Sequence, residues 1–346
     1  MRGGAWTVVG CALRTGFTTA LSGAQCAPYM RLLATACAVL PTLAFAQAKD
    51  NYPNRPIRVI TGSPGSTSDL SARFVAQKLT ERWGQQAVVD NRPGAGGIIG
   101  VEIGARAAPD GYTLIVGHVG THASAQMLHK NLGYDPIKDF EPVSNLVNVA
   151  VVFAVHPSVP ANNLKEFVAY SQAQNGKVNF GSPGTGTSGH LTGELFNLVT
   201  RARMTHIPYK GAGFAVTANI ANEVQTSFLA TSTAAPHVKA GRLKQLVVVR
   251  RTRFPGAPDV PSSVEAGYPD LDSNAWFGLF APAKTSKHLI LRVNKEVADA
   301  LNTPHVRDTL LAQGAEVAPT TPEAFGDYVK AEVVKWTRVV REAGIK

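Results

Sequence analysis

Two short loops, each dense in glycine, serine and threonine, constrain most strongly how this chain can fold. The first loop covers residues 61–69 and the second covers residues 181–190. Each follows a short apolar run that is typical of a buried strand, and each precedes apolar residues at helical spacing. A strand, loop and helix in that order, occurring once in each half of the chain, predict an α/β fold built from two halves.

The same alternation of strand and helix patterns continues through the rest of the chain, with parallel strands expected in each half. The halves are not separated by a proline- or serine-rich linker, so we expect strands rather than a flexible tether to connect them. Strands are predicted at residues 57–60, 87–89, 112–116, 147–155, 178–180, 224–229, 243–249 and 276–280. Helices are predicted at residues 69–83, 98–108, 191–200 and 322–344, with a further helix beginning at residue 164.

The composition agrees with a folded chain of two domains. The chain has 346 residues, of which 45% are hydrophobic and 17% charged, so it can bury sizeable cores and is not disordered. Its net charge is +10, but residues 1–46 contain three arginines and no acid, which leaves 31 basic against 24 acidic residues afterwards. Such a mild excess does not indicate a nucleic-acid partner.

Residues 1–46 are predicted to be a leader. Residues 32–46 form an apolar run that follows an arginine and ends in Ala-Phe-Ala, the pattern of a secretory signal peptide cleaved before Gln47. The working start is either Met1 or Met30. An uncleaved membrane anchor is the alternative to cleavage.

All three cysteines lie in this leader, at Cys11, Cys26 and Cys37. A lipid anchor at Cys37 is a further alternative. If the leader is removed, the mature chain has no cysteine, which excludes disulfides, thiolate nucleophiles and cysteine-metal sites.

The two loops are suited to binding an anion. Their glycines allow backbone N–H groups to approach a ligand, and each loop opens a helix whose first N–H groups carry a partial positive charge. Ordinary helix capping explains serine, threonine or aspartate before a helix equally well, and for either loop alone that alternative stays open. The presence of two such loops favours an anion site between the halves.

Catalytic and metal motifs are not complete in this sequence. A nucleophile elbow would need glycine where His190 stands, and a dinucleotide fingerprint would need glycine where Ile99 stands. His118 and His122 are four residues apart, but they lack the H-E-x-x-H pattern of a zinc site. The basic run at residues 250–253 is interpreted as a solvated loop. We therefore expect no cofactor and no metal.

Nine short segments in order make residues 52–346 resemble one protein family, the Bug/TctC-type periplasmic solute-binding receptors of tripartite tricarboxylate transporters. The loop at residues 61–69 departs from the usual family pattern, which has an aromatic or apolar residue at the position of Gly62 and a glycine at that of Ser66. The matching segments are residues 52–57 (YPNRPI), 64–73, 89–97 (VDNRPGAGG), 109–114 (PDGYTL), 134–136, 184–191, 208–211 (PYKG), 259–268 and 276–278.

The resemblance implies an α/β, two-lobed periplasmic binding protein of type II, the Venus-flytrap arrangement, with a hinged interdomain cleft. Lobe one would comprise residues 48–152 and 275–346, and lobe two residues 153–274. A carboxylate would be held by both loops. The ligand-binding residues carried over are Gly65, Ser66, Thr67, Ser68 and Asp69 in lobe one, and Gly184, Thr185, Gly186, Thr187 and His190 in lobe two.

The resemblance also implies a function and partners. The protein would be a non-enzymatic monomer in the periplasm, where it captures a small carboxylate and delivers it to the membrane permease subunits of a tripartite tricarboxylate transporter. Two alternatives remain at this stage. The protein is a ligand-binding sensor that signals to a regulatory partner, or a secreted enzyme that uses His190 as a general base.

Overall fold

The computed structural model describes residues 51–345, in which ten strands alternate with ten α-helices. The strands are β1 (Ile57–Thr61), β2 (Ala87–Asn91), β3 (Thr113–His118), β4 (Phe140–Val155), β5 (Asn179–Ser182), β6 (Thr205–Pro208), β7 (Thr226–Ala230), β8 (Lys244–Val248), β9 (Asn274–Pro282) and β10 (Ala315–Val317). The predicted leader lies outside the described residues. Within residues 51–345, no helix has both the length and the apolar character that a membrane crossing requires.

Most helices follow a strand, as the sequence predicts. A short 3₁₀ turn, Ala95–Gly97, precedes α2, and a π-helical turn, Val119–Ala123, follows β3. The helices are α1 (Thr67–Trp83), α2 (Ile98–Ala105), α3 (Ala125–Leu128), α4 (Leu164–Ala173), α5 (Ser188–Thr200), α6 (Ala212–Ile220), α7 (Thr231–Lys239), α8 (Lys287–Leu301), α9 (Pro304–Ala312) and α10 (Pro322–Glu342).

The strands form one mixed sheet with two halves. The strand order is β2-β1-β3-β9-β4-β7-β5-β6, and β8 and β10 also pair with β4. In the first half, β1 runs parallel to β2 and β3, and in the second half β5 runs parallel to β6 and β7. The connecting strands β4 and β9 run antiparallel to their neighbours.

The 16-residue strand β4 joins the two halves by changing partners along its length. Residues up to Ala150 pair with β9, whereas residues from Val151 onward pair with β7. Because one continuous backbone carries both sets of hydrogen bonds, the halves meet at this point of β4. Strand β9 begins beside it, with Asn274 opposite Ala150.

The predicted strands and helices are all found, but the structure adds elements that the sequence pattern did not reveal. Strands β6 and β10 are only four and three residues long and contain polar residues, so neither shows a periodic signal. The first part of β4 also escaped prediction, because Pro142, Ser144 and Asn145 interrupt its apolar run. The strands of each half were expected to be parallel, and the antiparallel strands β4 and β9 are a correction to that expectation.

The C-terminal helix α10 is fastened to the connecting strand β9 by a buried carboxylate. Glu332 accepts hydrogen bonds from the indole N–H of Trp276 on β9, at 3.0 Å, and of Trp336 on α10 itself, at 2.8 Å. Helix α10 also packs against the π-helical turn and against α5. It therefore contacts elements of both sheet halves.

An aromatic cluster containing a histidine closes the core where β3, β4 and β9 meet. The ring of His122 stacks on Phe280 at 3.9 Å and lies edge-on to Phe140 at 4.8 Å. His122 is fully buried, and its Nε2 atom has no hydrogen-bond partner. Burial, with the nearby His118, lowers the pKa of His122 to about 3, so the ring is neutral.

This histidine is expected to make stability fall in mild acid. The unfolded chain takes up a proton on His122 near pH 6.5, whereas the folded chain does not until about pH 3. The stabilisation of the folded state by neutral His122 is therefore complete above pH 6.5 and declines as the pH falls below it. The free energy of unfolding should fall by about 2 kcal/mol less between pH 7 and pH 5 in His122→Phe than in the wild type. Urea unfolding at both pH values measures this.

The exposed His305 provides the control, since His305→Gln removes a histidine whose ring is solvated in both states. This variant should keep the wild-type pH dependence. If His122→Phe also keeps it, the neutral state of the buried ring is contradicted.

Candidate functional site

The two loops occupy equivalent places in the two sheet halves. Loop one (residues 61–69) leaves the carboxyl end of β1 and enters α1, and loop two (residues 181–190) leaves β5 and enters α5. Crevices at the carboxyl ends of parallel strands are the usual ligand sites of open α/β sheets. Both loops therefore lie where such a site is expected.

In loop one, a buried aspartate fixes the backbone. The Asp69 carboxylate accepts hydrogen bonds from the N–H of Gly65 at 2.8 Å, from Asn91 at 2.8 Å and from Arg73 at 3.0 Å. Burial by itself would raise the pKa of Asp69, but these three hydrogen bonds outweigh it and hold the pKa below its usual range. With its oxygen atoms engaged by the protein, Asp69 shapes the loop.

Ser66 caps helix α1. Its hydroxyl donates to the carbonyl of Ser63 at 2.7 Å, so it accepts from the hydroxyl of Ser68 at 2.8 Å and from the N–H of Asp69 at 3.3 Å. The N–H groups of Thr67 and Ser68 begin the helix and have no acceptor within it. Loop one thus presents two amides and the hydroxyl of Thr67 at a helix start.

The carbonyl of Gly184 holds loop two together through hydrogen bonds. This oxygen accepts from the hydroxyl of Thr187 at 2.6 Å and from the hydroxyl of Ser182 at 3.1 Å. Gly184 and Gly186 have φ of +142° and +78°, a backbone conformation that side chains disfavour. The two glycines leave Thr185 as the exposed tip of the loop.

Helix α5 begins without a side-chain cap. Thr187 stands at the capping position, but its hydroxyl is engaged by Gly184 and does not accept from the helix. The first-turn N–H groups of Ser188, Gly189 and His190 thus lack both an intrahelical and a side-chain acceptor. An uncapped helix start carries partial positive charge and is suited to a carboxylate.

Two neutral histidines lie beneath loop two. His190 and His206 stack with ring centroids 3.9 Å apart. Burial lowers the pKa of His190 to about 4, and burial together with His190 lowers the pKa of His206 to about 3. The ring of His190 accepts the N–H of Gly186 at 3.0 Å, and its other nitrogen faces the carboxylate of Glu194 at 3.8 Å.

A third loop and the π-helical turn connect loop one to loop two. Gly97 lies against Gly62 of loop one, and the ring of His118 bonds the carbonyl of Gly96 at 3.1 Å. The same ring accepts the N–H of Gly120 at 3.0 Å. A Cβ atom on Gly120 would stand only 3.2 Å from the carbonyl oxygen of Gly186. A chain of contacts through Gly97, His118 and Gly120 thus links loop one to loop two.

Sequence reasoning missed the part that residues 94–97, His118 and Gly120 play in this chain of contacts. The available signal was the glycine-rich segment after β2, which occupies the same strand-to-helix position as the other two loops. The segment lacks the third glycine of a dinucleotide fingerprint and contributes to the family resemblance, but neither observation predicts a place for it beside the two loops. Within the described residues, no cluster of three or more histidine, cysteine or acidic side chains could hold a metal, and His118 and His122 bond other partners.

One arrangement looks like a catalytic pair, because Ser182 Oγ lies 2.7 Å from His206 Nε2. The serine hydroxyl also lies 3.1 Å from the carbonyl oxygen of Gly184, and the tautomer of His206 decides which of the two groups receives its proton. Ser182 is fully buried, beyond the reach of a substrate.

One lysine lies beside loop two, and the two histidines beneath this loop carry no charge. The N–H groups of Tyr209 and Gly211 bond the carbonyls of Ser182 and Pro183, so the segment between them follows loop two. Lys210 lies in that segment and is exposed. Because the histidines are neutral, the main donors in the two loops are N–H and hydroxyl groups.

Comparison with known proteins identifies relatives over most of the chain. A family model described as the tripartite tricarboxylate transporter family receptor matches residues 71–345. The Bordetella pertussis protein BugT is 34% identical over 320 residues, which are 91% of this chain and 98% of BugT.

Solved structures show the same fold. An R. palustris protein with adipate is 31% identical, with a TM-score of 0.77 over 85% of this chain and 98% of its own. A Rhodopseudomonas palustris protein, MatC, with bound malate is 33% identical, with a TM-score of 0.74 over 84% of this chain and all of its own. The predicted fold class is confirmed: this is the two-lobed α/β fold of periplasmic binding proteins.

Proposed function

This chain belongs to the tripartite tricarboxylate transporter receptor family, and on that premise we propose that it binds a small carboxylate between its two lobes and delivers it to a transporter. The observation that carries the proposal is the chain of contacts that links two helix starts, one uncapped and one partly capped. Relatives solved with malate and adipate support the ligand class.

We assign lobe one to residues 48–152 and 275–346, and lobe two to residues 153–274. The change of partners on β4 after Ala150 and the start of β9 at Asn274 support these boundaries. Strand β4 passes from one lobe to the other, and the chain returns beside it at the start of β9. These two adjacent crossings form a natural hinge, since small dihedral changes there can open the cleft.

The donors of both loops are sufficient for useful affinity. A hydrogen bond to a charged group contributes about 1.5–3 kcal/mol, so four or five would contribute about 6–15 kcal/mol in total. Association costs at least about 4 kcal/mol, and micromolar binding needs about 8 kcal/mol. Micromolar affinity is therefore reached near the upper end of that range, and contacts to the rest of the ligand add to it.

The residues of the two loops have different roles in this proposal. The carboxylate contacts groups of both loops. Loop one provides its helix-start amides and the Thr67 hydroxyl, and loop two provides Thr185 and the α5 amides. Asp69 and Thr187 hold the backbone that presents those amides. Since the ligand contacts both lobes only when they are together, it binds the closed state better and shifts the population toward it.

The closed receptor then docks on the membrane permease subunits. Export by a cleaved leader places the protein in the periplasm, where such a receptor works as a monomer. Binding and release complete its task without a chemical step. The neutral, hydrogen-bonded histidines and the buried Ser182 support a receptor over an enzyme.

A carboxylate panel tests the function directly. Isothermal titration of the mature protein with mono-, di- and tricarboxylates, including malate and adipate, should give at least one ligand with micromolar or tighter affinity. The corresponding amides should not bind, because they lack the charge that the helix starts attract. If no carboxylate gives heat or a thermal shift, the proposal fails.

Removing one loop hydroxyl should weaken that binding. Thr187→Val loses the tether to Gly184, and Ser68→Ala loses a hydrogen bond to the cap, Ser66. Each should reduce affinity by about 1–2 kcal/mol. Thr217→Val on α6 removes a similar hydroxyl bond outside both loops and serves as the control. Unchanged affinity in both loop variants would place the site elsewhere.

A methyl group at Gly120 should oppose closure. Gly120→Ala places a Cβ 3.2 Å from the carbonyl oxygen of Gly186, a contact between the two proposed lobes that we assign to the closed state, at an expected cost of about 1–3 kcal/mol. Ligand affinity should fall accordingly, and small-angle scattering should show less compaction on ligand addition.

The added Cβ also meets the ring of His118, at 2.9 Å, in open and closed states alike. The free energy of unfolding of the ligand-free variant measures the destabilisation caused by this local contact. Gly213→Ala is the matched control, because a Cβ there meets nothing within 4 Å. Equal affinity in both variants would contradict the closure contact.

A further inference from the structure

The histidine of loop two is almost completely enclosed by protein. His190 is only 3% exposed, with the ring of His206 stacked on one face. A side chain that contacts a ligand directly must offer it a polar atom. Both nitrogens of His190 instead face protein groups, one the N–H of Gly186 and the other the carboxylate of Glu194.

Hydrogen-bond direction assigns the proton on the ring of His190. Because Nδ1 of His190 accepts the N–H of Gly186, its proton lies on Nε2, toward Glu194. The Nε2 atom of His206 is joined to Ser182 Oγ by a hydrogen bond of 2.7 Å. Ser182 Oγ in turn accepts the N–H of Gly184 at 3.1 Å.

The stacked rings therefore hold loop two at two points, Gly186 directly and Gly184 through Ser182. Both glycines have positive φ, so the loop adopts a conformation that few sequences favour on their own. The free helix-start amides follow immediately after these two points. Their direction depends on where Gly186 is held.

We propose that His190 is a positioning residue of the carboxylate site: its Nδ1 atom orients loop two by holding Gly186, and the ring does not contact the ligand. This inference rests on the proposed function. It makes the α5 amides the ligand contacts of this loop. It also makes the stacked His206 a support that keeps the ring of His190 in place.

Two amide substitutions separate positioning from contact. Asparagine carries an oxygen near the place of histidine Nδ1, whereas glutamine carries its amide near the place of Nε2. His190→Asn should retain wild-type affinity for the best carboxylate of the panel within about threefold, and His190→Gln should lose about tenfold. His190→Phe keeps a ring for stacking but has no acceptor, and it should behave like the glutamine variant.

A second measurement reports on the anchor without a ligand. Hydrogen exchange of the Gly186 amide, followed by NMR, should be slow in the wild type and in His190→Asn and fast in His190→Gln and His190→Phe. His156→Phe is the control, because His156 also accepts a local N–H, that of Ser158, but lies outside the loop. It should change neither affinity nor exchange at Gly186.

Each outcome has a defined meaning. If glutamine retains affinity and asparagine does not, the ring contacts the ligand and the inference is overturned. If the two variants bind alike, the acceptor at Nδ1 has no role, and the inference is again overturned. If the wild type binds no carboxylate at all, the proposed function fails, while exchange at Gly186 still decides whether His190 holds the loop.

Discussion

The continuity of β4 is the constraint on which the rest of the structure depends. A single strand pairs through backbone hydrogen bonds with β9 and β10 in its first part and with β7 and β8 in its second part. Separating β4 from either half of the sheet would break a row of backbone hydrogen bonds. The two halves therefore keep a fixed connection along this strand.

Backbone geometry, rather than formal charge, gives the cleft its chemistry. Asp69 and Ser66 fold loop one from within, while His190, Ser182 and Thr187 fold loop two. In both loops the side chains that a motif search finds are mostly engaged with the loop itself. The groups that remain available to a ligand are backbone N–H donors. Because every residue except proline has one, a sequence motif does not reveal them.

The sequence predicted the fold well because the signals for the main elements are local. Glycine and hydroxyl residues after apolar runs marked both strand-to-helix loops, and helical spacing marked α1, α5 and α10. The place of each loop residue within its hydrogen-bond network was not predictable. Asp69 bonds Asn91, which lies 22 residues away, and His190 on α5 stacks on His206, which lies on strand β6.

The contribution of the glycine-rich segment before α2 escaped prediction for a related reason. Its contacts with His118 and with Gly62 are set by the order of β2, β1 and β3 in the sheet, and no local pattern encodes that order. The contact between Gly120 and Gly186 depends further on the crossing of β4. Long-range pairing of this kind appears only once the sheet is assembled.

The neutrality of the paired histidines has a consequence for the empty receptor. A site built around buried cations would expose an uncompensated charge each time its anion departs, and such a charge is costly away from water. Here departure leaves only amide and hydroxyl dipoles, which water can satisfy. In the proposed receptor, the ligand-free form would therefore cost little free energy, which favours release of the ligand as well as its capture.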